Sequence, residues 1–117
     1  MNKEKIFKNH RAEPYFTFVK EGIKTVEGRL NKGKYKEIQP KDHIVVFNNE
    51  ETESFEVVVV GVRNYFSFKD LLEKEGLKKV LPNAETLEEG NNIYREFYSE
   101  EDEKSFGVVA IEVEVVK

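Results

Sequence analysis

The closing stretch Val108-Val109-Ala110-Ile111-Glu112-Val113-Glu114-Val115-Val116 constrains the fold more than any other part of the chain. Val109, Ile111, Val113 and Val115 alternate with Ala110, Glu112 and Glu114. That period of two belongs to a β-strand with one face on a core and the other wet. Three more segments read as strands. Phe55–Val62 is the longest β-branched run, and Ile44-Val45-Val46-Phe47 is a short apolar run entered through Pro40-Lys41-Asp42. The polar loop Asn48–Glu53 joins these two as a hairpin, and Lys24–Leu30 supplies the fourth strand.

Helical signals fall between the strands. Pro14 suits a first helical turn, Tyr15, Phe18 and Val19 repeat at i, i+3 and i+4, and Gly22 is a natural stop. Ser67 with Asp70 fits an N-cap and its N3 partner, with Phe66 and Leu71 placed for a hydrophobic staple. Phe68, Leu71 and Leu72 make the buried stripe, Gly76 ends it, and Leu77, Val80 and Leu81 add a turn before Pro82. Thr86 with Glu89 opens another helix, striped by Leu87, Gly90, Tyr94, Phe97 and Tyr98. Residues 1–12 are expected to form a flexible arm or an edge strand, and the run Glu100–Glu103 a solvated loop. Four strands, one hairpin and one long helical excursion make an α+β fold, an antiparallel sheet curling into a small barrel with flanking helices.

At 117 residues the chain is long enough for one domain, 1–117, with a packed core, and nine Phe and five Tyr help to fill it. The absence of cysteine removes a disulfide framework, a thiolate nucleophile and a Cys-based zinc site, and fits a reducing compartment. No segment approaches the roughly 18 apolar residues of a membrane span, and Met1–Lys5 leads into no signal-type core. These features predict a cytoplasmic protein without a membrane partner. The net charge of −4 is unevenly spread: residues 1–48 carry eleven Lys+Arg against six Asp+Glu, and the remainder is strongly acidic. A basic half in an acidic protein is the arrangement expected if one face meets an anion.

The stretch Gly22-Ile23-Lys24-Thr25-Val26-Glu27-Gly28-Arg29 lies in that half. On a regular strand Glu27 and Arg29 share a face, about 7 Å apart. Lys24 stands at the mouth of the preceding turn, and Gly28 is where a bulge could re-aim its neighbours. The group is either a solvated edge with a surface ion pair or the floor of a ligand site. Arg29 suits an anion clamp, and Lys24 an electrostatic stabiliser or, if desolvated, a base or nucleophile. Glu27 can accept hydrogen bonds from a base edge or relay a proton. Tyr94 and Tyr98 share a helix face with Arg95 nearby, so the group serves either as core or as a stacking surface with a cation. Tyr65, at the end of the long strand with Arg63, could rim the same cleft. His10 and His43 lack metal-site spacing, so no metal site and no cofactor is expected, although a carboxylate-bound divalent ion stays open.

The pattern Gly22-x-Lys24-x-x-Glu27-x-Arg29 resembles the signature of the ASCH domain, a member of the PUA-like superfamily. Tyr35–Ile38 with Lys41–Phe47, Tyr65-x-Ser67-Phe68-x-x-Leu71-Leu72, Leu81-Pro82, Tyr94-Arg95-x-Phe97-Tyr98 and Phe106–Ile111 are similar to further family segments. The resemblance implies a small PUA-like β-barrel of about five to six mostly antiparallel strands, with a cleft floored by the motif strand. It also implies a role in RNA metabolism through binding of RNA or a modified nucleoside. Lys24, Glu27, Arg29, Tyr65, Tyr94, Arg95 and Tyr98 are the candidate ligand-binding residues. One branch of the family hydrolyses N4-acetylcytidine with the motif Lys, a Thr three residues on and a later Glu, and one member is a metal-dependent ribonuclease. By that resemblance Lys24 and Glu27 are the candidate catalytic pair of an alternative amidohydrolase, although Glu27 stands where that branch has Thr.

Overall fold

The computed structural model of the protein describes residues 4–117. The chain runs β1 (Ile6–Arg11), α1 (Tyr15–Lys20), β2 (Val26–Leu30), a 3-10 turn (Gly33–Lys36), β3 (His43–Asn48) and β4 (Ser54–Tyr65). It continues through α2 (Phe68–Glu75), α3 (Leu77–Val80), α4 (Leu87–Phe97) and α5 (Glu100–Phe106) to β5 (Val108–Val115). One five-stranded sheet has the order β1-β3-β4-β5-β2. Every pairing is antiparallel except β1 with β3. β1 is thus the edge strand anticipated within residues 1–12, of which residues 1–3 lie outside the described part. The sheet curls until its two edges, β1 and β2, meet through the side chains of Arg11 and Glu27.

Curling gives the sheet two buried faces. The concave side holds Ile44, Val46, Val57, Val59, Val109, Ile111 and Val113, plugged by Phe16 and Val19 of α1 and by Ile38. The convex side carries Val26, Leu30, Val108 and Ala110 beneath Phe68, Leu71, Leu72, Val80 and Tyr94. The alternation of β5 therefore gives the expected concave face, but the other face is wet only at its far end. Ala110 is fully buried because α2 and α4 cover that half of the strand, whereas Glu114 is exposed. Ile111→Ala removes a side chain that is 1% exposed. It should lower stability by about 2–5 kcal/mol on chemical denaturation, and a loss below about 0.5 kcal/mol would contradict this register.

The caps predicted at both longer helices are present: Ser67 Oγ accepts from Asp70 N at 3.0 Å and Thr86 Oγ1 from Glu89 N at 3.1 Å. Gly22, at φ +76°, follows α1 in the left-handed conformation that suits a helix stop. Four expectations need correction. Phe66 is 91% exposed, so no staple forms with Leu71. In α1 the buried ring is Phe16, not Phe18, because this short helix docks through Phe16 and Val19 into the concave core. Phe97 is 69% exposed, so the α4 stripe stops short of it. The acidic run is a helix, α5, whose N-cap Ser99 accepts from Asp102 N at 3.1 Å. Carboxylates in a first helical turn complement its dipole, and Glu103 turns inward to ion-pair with Arg95 at 3.3 Å.

Candidate functional site

The motif strand is built as the spacing requires, with Glu27 and Arg29 on one side and Gly28 between them on the other. No bulge occurs at Gly28, which pairs in register with Ala110; the irregularity of the sheet lies in β4, between Val59 and Gly61. Gly28 serves a close approach instead. The Tyr94 hydroxyl lies 2.5 Å from where a Cβ would stand, so any larger residue would push the ring out. Tyr94 is itself fixed by Phe68, stacked at 4.2 Å, and Phe68 stacks in turn on Tyr98 at 5.1 Å. Of this pile of three rings, Tyr94 and Tyr98 line a cleft, and Phe68 backs them from the core.

Glu27 is the electrostatic centre. Its Oε1 lies 3.0 Å from Lys24 Nζ, and its Oε2 meets the Arg11 guanidinium and stands 3.7 Å from Arg29 Nη2. Two guanidiniums and one lysine amine thus converge on one carboxylate. Lys24 is only 3% exposed. Its amine also donates to Val26 O at 2.9 Å and to Val80 O. Burial pulls the Lys24 pKa from 10.5 down to about 7. Burial raises the Tyr94 phenol well above the usual tyrosine range.

Arg29 is held more loosely. Its Nη1 lies 3.5 Å from the Tyr98 hydroxyl, and the guanidinium carbon sits 5.0 Å from the centre of the Tyr35 ring. Most of its donor capacity is therefore unspent. Lys24, Glu27, Arg29, Tyr94 and Tyr98 all line one cavity of about 190 Å³. Tyr65 and Arg95 do not line it. Tyr65 donates to Glu75 at 2.5 Å, beside the twofold Arg63–Glu75 pair at 2.6 Å, in a cluster tying α2 to β4. Arg95 is engaged by Tyr98 O and Glu103, each at 3.3 Å.

The cavity also takes in His10, Arg11, Tyr15, Ile93 and Phe97. None of these five stood among the candidates from sequence. Arg11 had no positional signal, because only the curl of the sheet brings β1 to β2. Tyr15 and Phe97 do carry a signal, as aromatic residues in short helices that flank the motif and the Tyr94–Tyr98 pair. Among the described residues, no three His, Asp or Glu side chains gather as a metal site.

A curled five-stranded sheet with flanking helices and a charged cleft on its motif strand defines a small α+β domain of the PUA-like kind. The ASCH domain profile matches residues 11–117, and the chain belongs to the ASCH domain family. It is similar to the crystal structure of the hypothetical protein PH0355, at 43% identity and TM-score 0.86, covering 95% of this chain and 99% of that one. It is also similar to the solution structure of protein PF0455 from Pyrococcus furiosus, at 39% identity and TM-score 0.77, covering 96% and 98%. An ASCH domain from Lactobacillus crispatus shares the fold at 15% identity and TM-score 0.66, over 96% of this chain and 79% of that one. No curated protein matches the chain. No helix among the described residues is long and apolar enough to cross a membrane.

Proposed function

We propose that the protein binds a nucleotide unit of RNA, ordinary or base-modified, in the cavity beside the motif strand. The observation that carries this reading is Arg29, a cation with unspent donors that lines the cavity between the Tyr98 hydroxyl and the Tyr35 ring behind it. Together with Arg11 it outnumbers the single carboxylate, so the site favours an anionic ligand. Guanidinium fits a phosphate through paired hydrogen bonds, and tyrosine rings offer a surface for a base. The cavity, at about 190 Å³, is below the usual range for drug-sized ligands, about 300–1,000 Å³, and suits one ring system with its substituents. Membership of the ASCH family, whose PUA-like relatives bind RNA or modified bases, supports the same choice.

Isothermal titration with the four common nucleoside 5′-monophosphates and with N4-acetylcytidine tests it. At least one should bind, and Arg29→Ala should weaken binding of that ligand about ten- to a hundredfold with unchanged thermal stability. Binding by none of them, or unaltered binding by Arg29→Ala, would overturn the proposal.

One observation favours hydrolysis as a second reading: a lysine brought to about pKa 7 by burial, 3.0 Å from a carboxylate. Against it, Lys24 is already tied by hydrogen bonds to two backbone carbonyls, besides its contact with Glu27. Turnover of N4-acetylcytidine by the wild-type protein, lost in a folded Lys24→Ala variant, would replace binding with catalysis. Neither turnover nor a change in the nucleoside is expected.

A further inference from the structure

We infer that the 3-10 turn beside the cavity is the path of a sugar-phosphate chain, so that the cavity takes one nucleotide from within a single strand rather than a free nucleotide. The inference rests on the proposed nucleotide site and extends it to the class of polymer. Residues 29–36 hold Arg29, Lys32, Lys34 and Lys36 and no acidic residue, in a protein of net charge −4. Among the described residues, ion pairs occupy Lys20, Lys24, Lys74 and Lys78, but none involves Lys32, Lys34 or Lys36. All three are exposed.

Two of the three lie over aromatic rings, and the Lys34 ammonium also donates to Lys8 O. Lys34 Nζ lies 5.5 Å from the centre of the Tyr35 ring, the ring that also carries Arg29. Lys32 Nζ lies 4.9 Å from the centre of the half-exposed Phe106 ring. Partial burial and then the Arg29 charge lower the Lys34 pKa from the ordinary lysine value. Two like charges thus share the Tyr35 ring, and Lys34 has no carboxylate partner of its own, an arrangement that a phosphate would relieve. Arg29 touches Tyr98 on the cavity side and Tyr35 on the turn side, so it links the two surfaces.

The chain that follows Tyr98 is unsuitable for a polyanion, because it carries the exposed Glu100 and Glu101 at the start of α5. A strand leaving over the turn meets cations and rings, which is how sequence-tolerant single-strand surfaces are made.

Anisotropy with 3′-fluorescein RNA hexamers tests the path, alongside calorimetric titration of the mononucleotides. Four phosphate contacts on a single strand give a log–log salt slope of about −3, so wild-type affinity for a hexamer should fall about fiftyfold from 50 to 200 mM salt. In the exposed triple variant K32A/K34A/K36A the fall should shrink to about threefold, with hexamer affinity at 50 mM salt reduced about tenfold or more. Mononucleotide binding should be unchanged in that variant. Wild-type slope and hexamer affinity in the triple variant would overturn the inference, as would a hexamer bound no more tightly than a mononucleotide. Both of those results leave the cavity reading standing. A wild-type protein that binds neither ligand would remove the cavity reading and the path together.

Discussion

Glu27→Ala is expected to lower the unfolding free energy by about 3–5 kcal/mol. The carboxylate is the only anion where two guanidiniums and one lysine amine converge, and its side chain is 10% exposed. Removing it leaves the Arg11 guanidinium, 11% exposed and with a buried Nε that has no hydrogen-bond partner, facing Arg29 without compensation. Arginine does not escape by losing its proton, so the penalty stays with the fold. Replacing both partners, as in Arg11→Met with Glu27→Leu, removes this buried pair together and should be milder than Glu27→Ala alone. Urea denaturation of the two variants measures the difference. A single variant that loses less than about 1 kcal/mol would show that the edges of the sheet are not held by this pair.

Stability is expected to rise as the pH goes from about 7 toward 10, and the cause is Lys24. Its pKa is about 7 in the folded chain and 10.5 by reference. Between those values the unfolded chain binds a proton that the folded chain has released, so the unfolding free energy climbs with pH, by at most about 1.4 kcal/mol per unit. Above about pH 10 the sign reverses. Burial keeps Tyr94 protonated in the folded protein while the unfolded phenol ionises, which favours unfolding. Maximum stability should thus lie on the alkaline side, near pH 10, beyond the usual range for globular proteins of about pH 5–8. Denaturation curves at unit pH steps measure it, and Lys24→Met should flatten the rising limb. A flat profile in the wild-type protein would show that Glu27 and the two carbonyls fully replace the water Lys24 has lost.

What could be read from the sequence was local. The core-facing set Val109, Ile111 and Val113 of β5 and the caps at Ser67 and Thr86 depend on residues within a turn or a strand of each other, and these appear as expected. The shared face of Glu27 and Arg29 was likewise visible as spacing on one strand, whereas Lys24, in the turn before it, could have faced either way. What was hidden depends on closure of the sheet and on the layer outside it. Arg11 joins Glu27 only because β1 and β2 become neighbours by curling, and Lys24 is held by Val80 O, 56 residues away. Ala110 looked wet because alternation cannot reveal that helices lie on the second face. Tyr65 and Arg95 were drawn to Glu75 and Glu103, carboxylates whose inward orientation no period announces. The acidic run read as solvated loop because its charge hides a helix start that welcomes carboxylates.

The most direct test of the nucleotide cavity is a titration of the isotope-labelled protein with each nucleoside 5′-monophosphate, followed by backbone and arginine side-chain NMR signals. The account predicts shifts concentrated at Gly28, Arg29, Tyr94, Phe97 and Tyr98, saturating with one ligand and absent in Arg29→Ala. Signals unmoved at these residues in millimolar ligand, or shifts gathered on another face, would contradict it.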